Sequence, residues 1–121
     1  MFQASEALSK GEIVYMTVNG QMAKAVATAA AISRAWAMAV EDINANAFGP
    51  FLLRGFARFD SNFPTYTVVG VLYTPEAEQN NPNVPTQTAP STDGDFVQCL
   101  GISTTADTVL FMPSLDVIEV G

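Results

Sequence analysis

Two pairs of acids are the groups best equipped to do chemistry in this chain. Glu41 and Asp42 are adjacent, and Asp93 and Asp95 flank Gly94. Paired carboxylates can act as general acid and general base, or can hold a hard cation through oxygen. Neither pair has the spacing for it. Neighbouring residues of a strand point to opposite faces, so Glu41-Asp42 reads as a turn or strand end. An Asp-Gly-Asp run lacks the spacing of a calcium loop, and ordinary turn chemistry explains it. The chain has no histidine, which removes the standard triad, the imidazole base and any Cys/His metal cluster. Its one cysteine, Cys99, lies between Val97 and Leu100 in an expected strand and reads as a small buried hydrophobe. No phosphate-cradling glycine loop of the Walker or dinucleotide type is present. A hydrolase built on Glu41/Asp42 or Asp93/Asp95 is the third-ranked function class. The expectation is no catalytic residue, no cofactor and no metal.

The elements that would position these residues are β-strands, and a similar series occurs twice. Gly11-Glu-Ile-Val-Tyr15-Met-Thr17 opens the first half and Val68-Val-Gly70-Val-Leu-Tyr73-Thr74 the second. Each is followed by a polar, turn-rich stretch, then by an apolar strand, Ala35–Val40 or Phe96–Ile102. Each series closes on a bulky run, Pro50–Arg54 or Thr108–Met112. Such a duplication predicts two similar β-halves on one core. Asn19-Gly20 predicts a hairpin turn, because both residues accept positive φ, with Gln21–Val26 as the returning strand. Phe51–Phe59 reads as one strand kinked or bulged at Gly55, and Thr65–Thr74 as another. Pro113–Val120 adds a short edge strand. The Ala-rich stretch 22–47 has two readings. Its propensity favours helix, whereas Trp36, Met38 and Val40 alternating with Ala35, Ala37 and Ala39 fits a strand with one large and one small face.

The predicted fold is therefore mainly β: a small single-domain β-barrel or β-sandwich with two pseudo-repeated halves, and room for one short helix in the Ala-rich segment. The expected boundaries are an N-terminal arm over residues 1–9 and one domain over 10–121, with a long Pro-rich loop at 75–95. A loop that long in a compact domain is functional or mobile as a rule. At 121 residues and 49% apolar, the chain can bury a core without disulfide or metal. No apolar run approaches the ~20 residues of a membrane helix. The N-terminus lacks the basic start and apolar core of a signal peptide. A soluble protein made in a cytoplasm is expected.

Charge is uneven. The net charge is −7, and all five basic residues lie at or before position 58. Residues 1–58 carry five bases against four acids, while residues 59–121 carry eight acids and no base. No basic face is available to neutralise phosphates, so nucleic acid is not an expected partner. The acidic half is either a solvated surface or the side that meets solvent or a basic partner while the near-neutral half docks. Five phenylalanines crowd positions 48, 51, 56, 59 and 63, more than a small β-domain readily buries. Such an excess points to oligomerisation. Trp36, the lone tryptophan, is either a core residue or an interface anchor.

These residues form an ordered series that resembles a known family. Leu8-x-x-Gly11-x-x-Val14-Tyr15, Asn19-Gly20, Ala25, Ala37-Met-Ala39, Glu41-Asp-Ile43, Gly49 and Gly55 are similar to the first half of small tailed-phage capsid decoration (cement) proteins. Leu72-Tyr73-Thr74, Thr88-Ala-Pro90, Gly94, Val97-Gln98, Gly101 and Val109-Leu-Phe111-Met-Pro113 are similar to its closing strands. The resemblance spans about residues 7–114. Ala37 and Asn46 stand where the family often has glycine, and the insert around Glu76–Asn83 is longer than usual. The resemblance implies a β-domain that assembles as a homotrimer on the outer surface of a phage head. It would bind the major capsid protein and brace its lattice. It implies no membrane partner, assembly in the host cytoplasm, and contacts from Phe2 and Leu8 of the arm and from Trp36, Phe48 and Phe56. The alternative is a head-fibre or tail-fibre domain that recognises a host-surface ligand through the 75–95 loop with Tyr66 or Tyr73.

Overall fold

A computed structural model describes residues 1–27, 34–60, 62–75 and 83–120. Its strands in chain order are β1 (Phe2–Gln3), β2 (Ile13–Met16), β3 (Met22–Lys24), β4 (Ala37–Ala39), β5 (Phe48–Gly49), β6 (Phe51–Leu52), β7 (Gly55–Arg58), β8 (Val71–Tyr73), β9 (Phe96–Val97), β10 (Cys99–Ser103), β11 (Thr108–Phe111) and β12 (Ile118–Glu119). Among the described residues there is no helix. The protein is mainly β.

The duplication in the sequence is a duplication of topology. One antiparallel sheet has the order β3-β2-β4-β6 and the other β7-β11-β10-β8. The meander β2-β4-β6 of the first half therefore corresponds, strand for strand, to β8-β10-β11 of the second. Even the hairpin partner has a counterpart. β3 returns beside β2 after the Asn19-Gly20 turn, where Gly20 has φ +80°. Thr86 returns beside Tyr73, each donating its N–H to the other's carbonyl at 2.7 and 2.9 Å. Between the sheets lies a shared core. Ile13 and Met38, opposite each other in register, meet Leu72, Leu100, Val109 and Phe111 from the second sheet. Each such side chain contributes ~1.5–3 kcal/mol by leaving water. Two small two-stranded ribbons, β1-β5 and β12-β9, complete the fold. The strands of the two sheets do not close into a barrel.

The run Phe51–Phe59 is not one strand. Phe51–Leu52 pairs in the first sheet and Gly55–Arg58 in the second. The chain changes sheets at Gly55, whose φ of +138° is open to glycine and costly for other residues. The Ala-rich ambiguity resolves in favour of extended chain at Ala37–Ala39, with residues 28–33 lying outside the described residues. Small side chains suit this position because both faces of β4 are covered. Met38 faces the shared core, and Ala37 and Ala39 face a second cluster. Asn46 has φ +66°, a conformation that asparagine tolerates.

Three expectations are corrected. Residues 1–9 are not an unpacked arm. β1 pairs with β5, Ala4 bridges to Met22, and Leu8 and Ile43 exchange backbone hydrogen bonds of 2.8 Å. Ala4, Leu8 and Ile43 thereby roof the outer face of the first sheet over Val14, Ala37 and Ala39, with Phe51 of β6 packed beside them. The strand expected over Thr65–Thr74 is short, only Val71–Tyr73. Upstream, the Gln87 side chain bonds Thr67 N and O at 2.9 and 2.7 Å, and the Ser103 hydroxyl bonds Thr67 O at 2.7 Å. Those bonds hold the backbone in a turn. Finally, residues 83–85 of the 75–95 loop fold inward, while Thr88, Ala89 and residues 91–94 are exposed. Asn83, Val84 and Pro85 are buried.

Two buried polar side chains bind the halves together. Gln98 accepts from Ala35 N at 2.7 Å and donates to Ala35 O at 3.0 Å and to Ser114 O at 2.8 Å. Asn83 donates through its side chain to Ala25 O at 2.8 Å, and its carbonyl accepts from Ile13 N at 3.1 Å. Buried amides of this kind are stable only when satisfied.

Candidate functional site

Strands buried on both faces read as continuous apolar runs, and β8 and β11 of the second sheet read that way. Val71-Leu72-Tyr73 and Val109-Leu110-Phe111-Met112 are apolar at every position. Alternation sends Leu72, Val109 and Phe111 into the shared core. It sends Val71, Leu110 and Met112 outward. The register aligns the outward set into a row across all four strands. Phe56 of β7 is opposite Leu110 of β11, Leu110 is opposite Ile102 of β10, and Ile102 is opposite Val71 of β8. Cys99 and Tyr73 form a further outward pair. Phe56 is 68% exposed, Val71 and Met112 are exposed, and Ile102 and Leu110 are half-buried. None of the row belongs to either apolar cluster. The corresponding face of the first sheet lies under the N-terminal segment, whereas this one faces solvent.

A second exposed apolar feature lies on the first half. In the β1-β5 ribbon, Phe2 is opposite Gly49 and Gln3 opposite Phe48. Phe2 turns inward, edge-on to Trp36 with ring centroids 5.2 Å apart and within 6.3 Å of Phe51. Phe48 turns outward and is 65% exposed. Gly49 behind it leaves room for Ile43, whose side chain occupies the space a Cβ would need.

The residues expected at an interface thus divide. Phe48 and Phe56 are solvent-facing, on different halves. Trp36 is 38% exposed, held at one side by Phe2. Phe2 is half-buried. Leu8, at 3% exposure, is unable to touch a partner without unfolding its own roof, and its place as a contact residue is withdrawn. Val71, Ile102 and Leu110 were missed. The signal for them was present: apolar residues at both parities of a strand in a domain too small to cover both faces. Cys99 is also corrected. It is exposed, because a register shift between Cys99 and Gly101 turns Leu100 into the core and Cys99 out.

Among the described residues, neither acid pair singled out in the sequence brings its two carboxylates together. Asp42 accepts a hydrogen bond from Lys10 N at 3.0 Å, a turn role, and Glu41 is exposed. Asp93 is exposed while Asp95 is buried, so the two diverge. Their turn is held by Val120 N donating to Asp95 O at 2.7 Å and Gly94 N to Val120 O at 2.9 Å. Among the described residues no group of three or more Cys, Asp or Glu side chains is placed to hold a metal ion. A shallow recess beside Lys10, Arg58, Phe59 and Asp60 contains an exposed ion pair, Arg58 Nε to Asp60 Oδ1 at 2.8 Å. That hydrogen bond lowers the Asp60 pKa and raises that of Arg58. An exposed pair of this kind adds little stability.

Tyr66 is buried, and its hydroxyl donates to Pro85 O at 2.7 Å. Burial raises the phenol above its ordinary range, because the phenolate would lose its hydration. The folded state thus holds this proton more tightly than the unfolded one. Its contribution is complete below the unfolded value of ~10 and is lost as pH rises beyond it. Denaturation midpoints measured across that range should fall, and Tyr66→Phe should reduce the slope. An equal slope in both proteins would exclude Tyr66 as its source.

No family model, curated protein or solved structure matches this chain. The site stands on its own geometry: two sheets of one topology, one roofed and the other, among the described residues, without a roof.

Proposed function

We propose that this chain is a structural virion protein, a capsid decoration protein. It binds the major capsid protein on the outer surface of a phage head, self-associates as a homotrimer, and braces the lattice. The reading rests on the resemblance. What supports it is that the residues carrying the resemblance occupy positions the architecture requires. Gly11 has φ +91° and packs under Phe59 and Phe63. Gly20 makes the hairpin, Gly55 changes sheets, and Gln98 ties the halves together. An uncovered apolar sheet face supports it further, since bracing a lattice draws on contact area and multivalency.

The test is addition of purified protein to undecorated heads, followed by separation of bound from free protein. Stoichiometric, saturable binding that raises the temperature at which heads rupture is expected. Absence of binding would remove the proposal. The fibre-domain alternative gains nothing specific here. Tyr66, one of its two candidate contacts, is buried, and residues 83–85 face the interior.

A further inference from the structure

A buried polar cluster at the end of the β2-β3 ladder brings together three groups able to react with one another. The Lys24 amine is a nucleophile, the Asn83 carboxamide is an acyl group whose leaving group is ammonia, and the Glu12 carboxylate can carry protons. Glu12 and Asn83 are fully buried, and the Lys24 side chain is 13% exposed. One oxygen of Glu12, Oε2, lies 3.6 Å from Lys24 Nζ and accepts from Asn83 N at 2.7 Å. Asn83 is wedged into the ladder itself. Its backbone carbonyl accepts from Ile13 N, and its Nδ2 donates at 2.8 Å to the carbonyl of Ala25, the residue after Lys24. Holding this backbone in place needs only neutral donors and acceptors. A lysine and a glutamate taken out of water are an expensive way to do so.

We propose that Lys24 and Asn83 join through an intramolecular isopeptide bond, from Lys24 Nζ to Asn83 Cγ, with Glu12 relaying the protons. Glu12 takes a proton from the Lys24 ammonium, and the freed lone pair attacks Asn83 Cγ. The Nζ–Cγ bond forms as the carbonyl electron pair moves onto Oδ1. Nζ gives up two protons in all, and both pass by way of Glu12 to Nδ2. The carbonyl re-forms, the Cγ–Nδ2 bond breaks, and ammonium leaves. Charge is conserved, Glu12 ends as it began, and no oxidant or other reactant is consumed. An amide is a poor acyl donor in water. Fixing the amine beside it in a site closed to water raises its effective concentration by orders of magnitude.

The bond ties the two halves of the fold. Lys24 belongs to β3 of the first sheet, and Asn83 lies three residues before Thr86, which bridges to Tyr73 of the second. With a single cysteine, the chain has no internal disulfide. This cross-link closes a long loop and restrains the unfolded chain as a disulfide does. The inference does not rest on the virion reading, and its test needs no capsid.

The test is intact-protein mass spectrometry of the purified full chain. Wild type should be lighter than its sequence by one ammonia. Trypsin should fail to cut after Lys24 and should yield one branched peptide holding Lys24 and Asn83. Lys24→Arg, Asn83→Ala and Glu12→Gln should each have their full sequence mass. Asn83→Asp, which offers water as the leaving group, should be lighter by one water. Wild type at full mass overturns the inference, whether or not any variant folds. So does a deficit that persists in Lys24→Arg. So does a deficit that digestion places at Asn19-Gly20, an exposed pair that can lose ammonia by closing to a succinimide, with no branched peptide present. Lys24→Arg keeps the positive charge and lacks the bond, so it is the reference against which the stability of the Glu12 variants separates the cross-link from the carboxylate's own hydrogen bonds.

Discussion

Replacing Glu12 with alanine should cost about 3–5 kcal/mol, the usual result of breaking a buried ion pair from one side. Glu12 is fully buried. One carboxylate oxygen accepts from Ser9 N, and the other accepts from Asn83 N at 2.7 Å and lies 3.6 Å from Lys24 Nζ. The side chain therefore holds three segments far apart in sequence: the turn before β2, strand β3, and the chain that returns from the long loop. Alanine removes the acceptor of the Ser9 and Asn83 N–H groups and a buried carboxylate 3.6 Å from Lys24 Nζ. Glutamine separates the two effects. It keeps the shape and one acceptor oxygen but presents an NH2 to a neighbouring donor, so it should cost less, about 2–3 kcal/mol. Urea unfolding of the three proteins would measure both. Equal stability of Glu12→Gln and wild type would mean that the negative charge contributes nothing.

Replacing Gly101 with alanine should cost about 4 kcal/mol or more, in the range reserved for strain at special backbone positions. Gly101 has φ +128°, and a Cβ there would sit deep inside the van der Waals radius of the Leu110 carbonyl oxygen. The obstacle is backbone of the paired strand β11, so no side-chain rotation relieves it. Relief requires moving β10 off β11, which would undo the pairing of Gly101 with Phe111, a fully buried core residue. Gly20→Ala is the control. Gly20 also has positive φ, but nothing lies within 4 Å of its Cβ position, so only the conformational term of ~1 kcal/mol remains. Similar losses at both sites would show that the close approach at Gly101 is not what matters.

Much of the fold was legible because strand order follows local pattern. Alternation, β-formers and Asn19-Gly20 located the first meander, and the repeated series foretold that the second would copy it. What was not legible depended on partners distant in sequence. Phe51–Phe59 looks continuous until one sees that its ends pair with strands of different sheets. Val68 and Val69 are strong β-formers, yet bonds from Gln87 and Ser103 to Thr67 and Gly70 hold that stretch in a turn. Leu8 looked like part of a free arm because residues 1–9 contain few β-formers. Pairing of Leu8 with Ile43 and of Ala4 with Met22, which no local rule predicts, makes that segment a roof.

The candidate site shows the same division. Crowded phenylalanines and runs apolar at both strand parities state that this chain has more greasy surface than one small domain can enclose. That is a matter of composition and period, and the amino acids alone decide it. Which surplus surface stays outside is decided by long-range pairing. The N-terminal nine residues settle on the first sheet and leave the second sheet's outer face in water. The reason is physical: side-chain polarity and alternation act over a few residues, whereas which face is covered depends on contacts between segments tens of residues apart.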